Sequence, residues 1–106
     1  MREFHHVGIV TTEKHNNETY IPDAKAYITD FETHPYRVEW VRHEPDSPVP
    51  EVTKKYAHVA FKVDDLDAEL KGKNVIIEPF SPFKGMRAAF ILTEDGAPIE
   101  LMQFDE

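Results

Sequence analysis

Two phrases of this chain occur twice, and that repetition constrains the fold more than any other feature. His6-Val7-Gly8-Ile9 near the start matches His58-Val59-Ala60-Phe61 past the middle. Val38-Glu39-Trp40-Val41 likewise matches Ile99-Glu100-Leu101-Met102. The chain therefore runs His, Glu, His, Glu in two halves, a pattern that marks a candidate metal site. At 106 residues it is long enough for one real core and too short for two independent ones. The two halves must share that core.

Both histidine phrases alternate as strands do. Val7 and Ile9 take one side of the first, with His6, Gly8 and Val10 on the other. In the second, Val59, Phe61 and Val63 suit packing under a helix, and His58 shares its face with Ala60. The small residue beside each histidine leaves space on that face for a ligand next to a metal. Glu39 and Glu100 each lie between bulky apolar neighbours in a strand pattern. Two carboxylates buried there without partners would cost several kcal/mol, a cost that a shared cation removes.

The second half reads as strand, helix, strand, strand, strand. Lys54 to Val63 is the first strand, and Asp64 or Asp65 caps a short helix that carries Leu66, Ala68 and Leu70 and ends near Gly72. Val75 to Ile77 is a strand, residues 79–85 a long loop, and Met86 to Thr93 a strand. Glu94-Asp95-Gly96 makes a hairpin turn into the strand Pro98 to Phe104. The first half keeps this order without the helix. Residues 13–19 are polar with no apolar stripe, and Tyr20 to Asp23, with Pro22, extends the break. Ala24 to Phe31 and Tyr36 to His43 are the strands expected next, joined by a turn at Glu32-Thr33-His34-Pro35. His6 and Glu39 stand 33 positions apart, against 42 for His58 and Glu100; the shortfall is about the length of one short helix. The expected organisation is a single domain over 1–106, with a first module of about 3–44, an extended proline-rich connector over 45–53 and a second module of about 54–105.

Charge and composition exclude several functions. A net charge of −8, from 20 acidic and 12 basic residues, lacks the basic footprint that nucleic acid or an anionic membrane surface requires. With no cysteine there is neither a disulfide framework nor a thiolate metal site. No apolar run is long enough to cross a bilayer, and Met1-Arg2-Glu3-Phe4 lacks a signal-peptide hydrophobic region, so the expected location is cytoplasmic.

The phrases His58-Val59-Ala60-Phe61-Lys62-Val63-Asp64-Asp65 and Glu94-Asp95-Gly96-Ala97-Pro98-Ile99-Glu100-Leu101 resemble the vicinal oxygen chelate superfamily. That group includes glyoxalase I, methylmalonyl-CoA epimerase, extradiol dioxygenases and bleomycin-resistance proteins. The resemblance covers the second module over residues 56 to 104 and the first at its ends, 4 to 12 and 36 to 44. It departs where the first module lacks its helix and an Asp-Gly turn before Glu39. It implies an α+β fold of two βαβββ modules forming a curved mixed sheet around a cavity. It also implies a divalent metal held by His6, Glu39, His58 and Glu100, the glyoxalase I-like ligand set.

Two imidazoles and two carboxylates suit Ni²⁺, Co²⁺, Zn²⁺, Fe²⁺ or Mn²⁺. The chemistry implied is that of an isomerase, epimerase or lyase acting on a small oxygenated substrate through a metal-stabilised enediolate, with Glu39 or Glu100 as the base. Oxygen activation fits less well, since it uses a two-histidine, one-carboxylate site, and the trimmed first module removes surface that a glutathione-sized substrate needs. Two other readings are a metal-free binding protein of the drug-sequestering type and a dimeric accessory domain with a vestigial site. Without a local helix over Val7 and Ile9, a second subunit or the 65–71 helix is expected to cover them, and a homodimer follows from the first choice. His5 is expected to point away from the site and be exposed, with His15 and His34 on the surface. His43 shares the face of Glu39 and is a candidate to line the cavity. Arg37, Lys62, Tyr27, Ser81, Lys84 and Arg87 are candidate polar contacts for a substrate.

Overall fold

A computed structural model describes residues 2–105. The first module contributes β1 (Glu3–Val10), β2 (Thr19–Ile21), β3 (Ala26–Ile28), a 3-10 turn at Phe31–Thr33 and β4 (Val38–His43). A short helix, α1 (Glu51–Lys55), joins the halves. The second module is β5 (His58–Lys62), α2 (Leu66–Leu70), β6 (Asn74–Phe83), β7 (Met86–Leu92) and β8 (Pro98–Phe104). All eight strands belong to one mixed sheet in the order β2-β3-β4-β1-β5-β8-β7-β6. The two modules meet at an antiparallel β1–β5 pair, and on either side of it β1 pairs parallel to β4 and β5 parallel to β8. The α+β architecture that the resemblance implies is present, and no helix separates β1 from β2. Among the described residues no helix is long and apolar enough to cross a membrane.

The sheet bends around a cavity of about 290 Å³, to which every one of its eight strands contributes lining residues. Alternation assigns the faces. Ala60, Met86, Ala88 and Met102 form a buried cluster on the cavity side, with Phe80 and Phe104 against it. On the outer side, Val63, Leu66, Ala89, Ile91 and Leu101 pack under α2. Asp65 caps that helix, its carboxylate accepting from the Ala68 amide at 3.2 Å, and Gly72 leaves it at a φ of +73° that favours glycine. In the first module no such helix exists, and the matching outward residues Val7, Ile9, Val38 and Trp40 are only half-buried. His15, from the polar loop, stacks on Trp40 with ring centroids 5.3 Å apart. That loop histidine is therefore half-buried, not the free surface residue the sequence suggests.

Several boundaries differ from the sequence expectation, each for a local reason. The strand expected over Ala24 to Phe31 is instead the hairpin β2–β3, and Pro22 lies in its turn, where Lys25 adopts a φ of +47°. Proline thus starts a turn here and does not break a strand. Phe31 leaves the sheet because Asp30 caps a 3-10 turn, accepting from the Glu32 amide at 2.8 Å. The connector is not extended throughout. Once past Pro50 the chain turns helical, with Glu51 in the first turn and Lys54 and Lys55 in the last, the polarity a helix dipole favours. The strand of the second module consequently begins at His58 and not at Lys54. Residues 79–85 are not a loop either: β6 continues to Phe83 through Pro79 and Pro82. As the last strand in the sheet order it has a free edge, where a missing amide costs no ladder hydrogen bond.

Leu66 is fully buried in the outer cluster, on the opposite face from the cavity. Leu66→Ala should therefore lower unfolding stability by about 2–5 kcal/mol in denaturant titration while leaving the protein's capacity for divalent metal unchanged.

Candidate metal centre

The strand registers bring the four repeated residues together in two adjacent rows of the sheet. In one row Gly8 of β1 sits between Glu39 of β4 and His58 of β5. In the next, Ala60 of β5 sits between His6 of β1 and Glu100 of β8. The rows have the same composition with the two modules exchanged. All four side chains are buried and line the cavity.

A Cβ at Gly8 would lie 2.2 Å from the His58 ring, so the imidazole occupies the space that glycine leaves. The sequence reading gave that space to a ligand. It belongs to the histidine of the opposite strand, because antiparallel pairing sets each small residue across from the other module's imidazole.

Within the cluster, His58 Nε2 is 3.1 Å from Glu100 Oε1 and His6 Nε2 is 3.4 Å from the same oxygen. Glu39 Oε1 stands further off, 3.7 Å from His6 Nε2 and 3.9 Å from His58 Nε2. Nitrogen and oxygen donors that share one ion at about 2.0–2.2 Å from each must lie roughly 3–4.4 Å from one another, and these four separations fall in that range. His6, His58 and Glu100 offer donor atoms that all lie within 4.8 Å of each other, a grouping able to hold a metal ion. His6 Nε2 is buried and has no hydrogen-bond partner. The donor set and this unsatisfied nitrogen both fit a divalent cation.

His5 takes part in this arrangement, contrary to its expected exposure. The β1–β5 register shifts between Phe4 and His6, and the bulge turns His5 toward its neighbour, so that the two Nδ1 atoms are 2.9 Å apart. Burial first, then the charges of His6 and Arg37, lowers the His5 pKa to about 4. This hydrogen bond between the two Nδ1 atoms leaves His6 Nε2 facing the carboxylates. A hydrogen bond on the far nitrogen is the usual way in which a ligating imidazole is oriented. Phe31 stacks on the opposite ring surface, parallel within 2° and with centroids 4.3 Å apart. The Arg37 guanidinium donates to the His5 carbonyl at 2.9 Å and lies over Phe31.

Burial alone would lower the basicity of His6, but the Glu100 and Glu39 carboxylates outweigh it and raise its pKa to about 9. Glu100, which burial would raise, is held below the usual carboxylate range by His58 and His6. The two carboxylates therefore favour the protonated form of His6.

Of the other predicted residues, His43 does line the cavity, while Arg37, Lys62, Tyr27, Ser81, Lys84 and Arg87 do not. The sequence reading missed Phe31, Asp23, Thr53 and Glu78 as cavity residues. Thr53 lay hidden because the connector pattern concealed α1. Asp30 before Phe31 was the one signal for the 3-10 turn.

Among solved structures, the chain is similar to a methylmalonyl-CoA epimerase from Mycobacterium tuberculosis, with a TM-score of 0.72 and 19% identity over 98% of this chain and 89% of that one. No protein-family model matches the sequence, and no curated protein matches it. The likeness shows the fold alone.

Gly8→Ala must displace the His58 ring. It should weaken divalent-metal binding by at least about tenfold in competition titrations; unchanged affinity would mean that His58 has no part in binding. The raised His6 pKa gives a second expectation. In chelator-treated protein its contribution to stability is complete below pH 6.5, the ordinary imidazole value, and is lost as pH rises through about 9. Thermal melts across that interval should show a falling Tm, and saturating metal should flatten the profile.

Proposed function

We propose that the chain is a divalent-metal-dependent isomerase, epimerase or lyase acting on a small oxygenated substrate. The observation that carries this reading is the buried His6, Glu39, His58, Glu100 cluster at the base of a cavity, with His6 Nε2 unsatisfied. Those four residues would hold the ion. The fold likeness to a methylmalonyl-CoA epimerase supports the class of reaction without specifying a substrate. A bound ion would supply Lewis acidity to two adjacent substrate oxygens, favouring the negative charge that develops there when a neighbouring C–H bond is broken.

The two glutamates divide the remaining work. Glu100 is close to both imidazoles, at 3.1 and 3.4 Å, and acts as the anchoring carboxylate. Glu39 is the more distant from both and has the freer carboxylate, so it serves as the general base. It would take the proton from the carbon beside the substrate carbonyl and return it to the adjacent carbon. His5 and Phe31 fix the His6 ring, and Gly8 admits His58.

Elemental analysis and hydrogen–deuterium exchange at the α-carbon of small hydroxyketones test this assignment. Glu39→Gln should retain metal and lose exchange by about 10²–10⁴-fold, whereas Glu100→Gln should lose metal affinity first. Wild-type protein that takes up no divalent ion would sink the proposal. Undiminished exchange in Glu39→Gln would move the base elsewhere.

A further inference from the structure

Resting on the reading of this cavity as a substrate site, we infer that its substrate is uncharged, with a largely hydrocarbon body attached to the oxygen pair. Carboxylates, phosphates and other anions are disfavoured. Beyond the His/Glu cluster the walls are apolar and come from both modules, with Ile21 and Val41 on one side and Ile77, Phe80, Met86 and Phe90 on the other. Among the described lining residues there is no lysine or arginine. Arg37, beside the site, is turned to His5 and Phe31 and does not line the cavity.

The charged residues that do line it beyond the cluster, Asp23 and Glu78, are acids, and both are exposed, which places them at the rim. An anion entering here would pass two like charges and lose its hydration against hydrocarbon, with no counter-charge from the walls to offset the loss. An uncharged aromatic or branched aliphatic group meets no such penalty and gains by covering the aromatic walls. The hydrogen-bonding groups on the wall also suit a neutral partner. Thr53 spends its hydroxyl hydrogen on the Pro50 carbonyl at 2.7 Å and offers a lone pair to a ligand hydroxyl, and His43 offers an imidazole nearby.

The test uses two compounds with the same chelating head, phenacyl alcohol and its para-carboxylate, titrated calorimetrically into the metal-loaded protein. The neutral compound should bind at least tenfold more tightly. The Asp23→Lys/Glu78→Lys double variant should narrow that ratio by strengthening the carboxylate. Equal or tighter binding of the carboxylate by the wild type, or no binding of the neutral compound, would overturn the inference while leaving metal loading intact. Should the protein take up no metal, the proposed function fails on its own, and naphthalene against naphthoate in chelator-treated protein decides the cavity's preference. Naphthalene alone binding upholds it; naphthoate binding as well or better, or neither binding, overturns it.

Discussion

The antiparallel pairing of β1 with β5 holds the rest of the molecule in place. It sets His6 across from Ala60 and His58 across from Gly8. Each module thereby lends a small residue on which the other module's imidazole can lie. Parallel pairing with β4 and β8 then brings Glu39 and Glu100 into the same two rows. A slip of one residue in either strand would turn that strand's histidine to the outer face. The register is specified by burial on both faces of β5, with Ala60 inside and Val63 and Phe61 against the α2 cluster outside.

The two modules share this register but not their cover. In the second, α2 places Leu66 over Ala89 and Leu101 and closes the outer face. In the first, the polar loop replaces a helix, and His15 on Trp40 is a small substitute. The cavity side is unaffected, because its walls are built by strands and by two short helical turns that carry Phe31 and Thr53. The loss of one helix therefore alters packing on the outer face without disturbing the row geometry that assembles the cluster.

Within the cluster, two carboxylates and two imidazoles are buried at contact distances, and one imidazole nitrogen has no hydrogen-bond partner. Such a group is costly unless a charge is shared among its members. The carboxylates favour a proton on His6, and the cluster is also able to hold a metal ion. Around that polar base the cavity walls are mostly hydrocarbon.

The repeated phrases by themselves determined the order of the modules, the missing helix, the faces of the histidine strands and the four residues that cluster, while the local sequence placed the α2 cap at Asp64 or Asp65. These were legible because strand alternation and internal repetition are local patterns written in consecutive residues. Tertiary structure alone decided the rest. Phe31 and Thr53 reach the cavity through short turns that proline and polar residues conceal. β6 keeps its prolines because it ended at a sheet edge. His5 faces His6 because a bulge added one residue to β1. The space beside Gly8 went to the His58 imidazole and not to a ligand, since register between distant strands, which no single segment encodes, determines what stands opposite it.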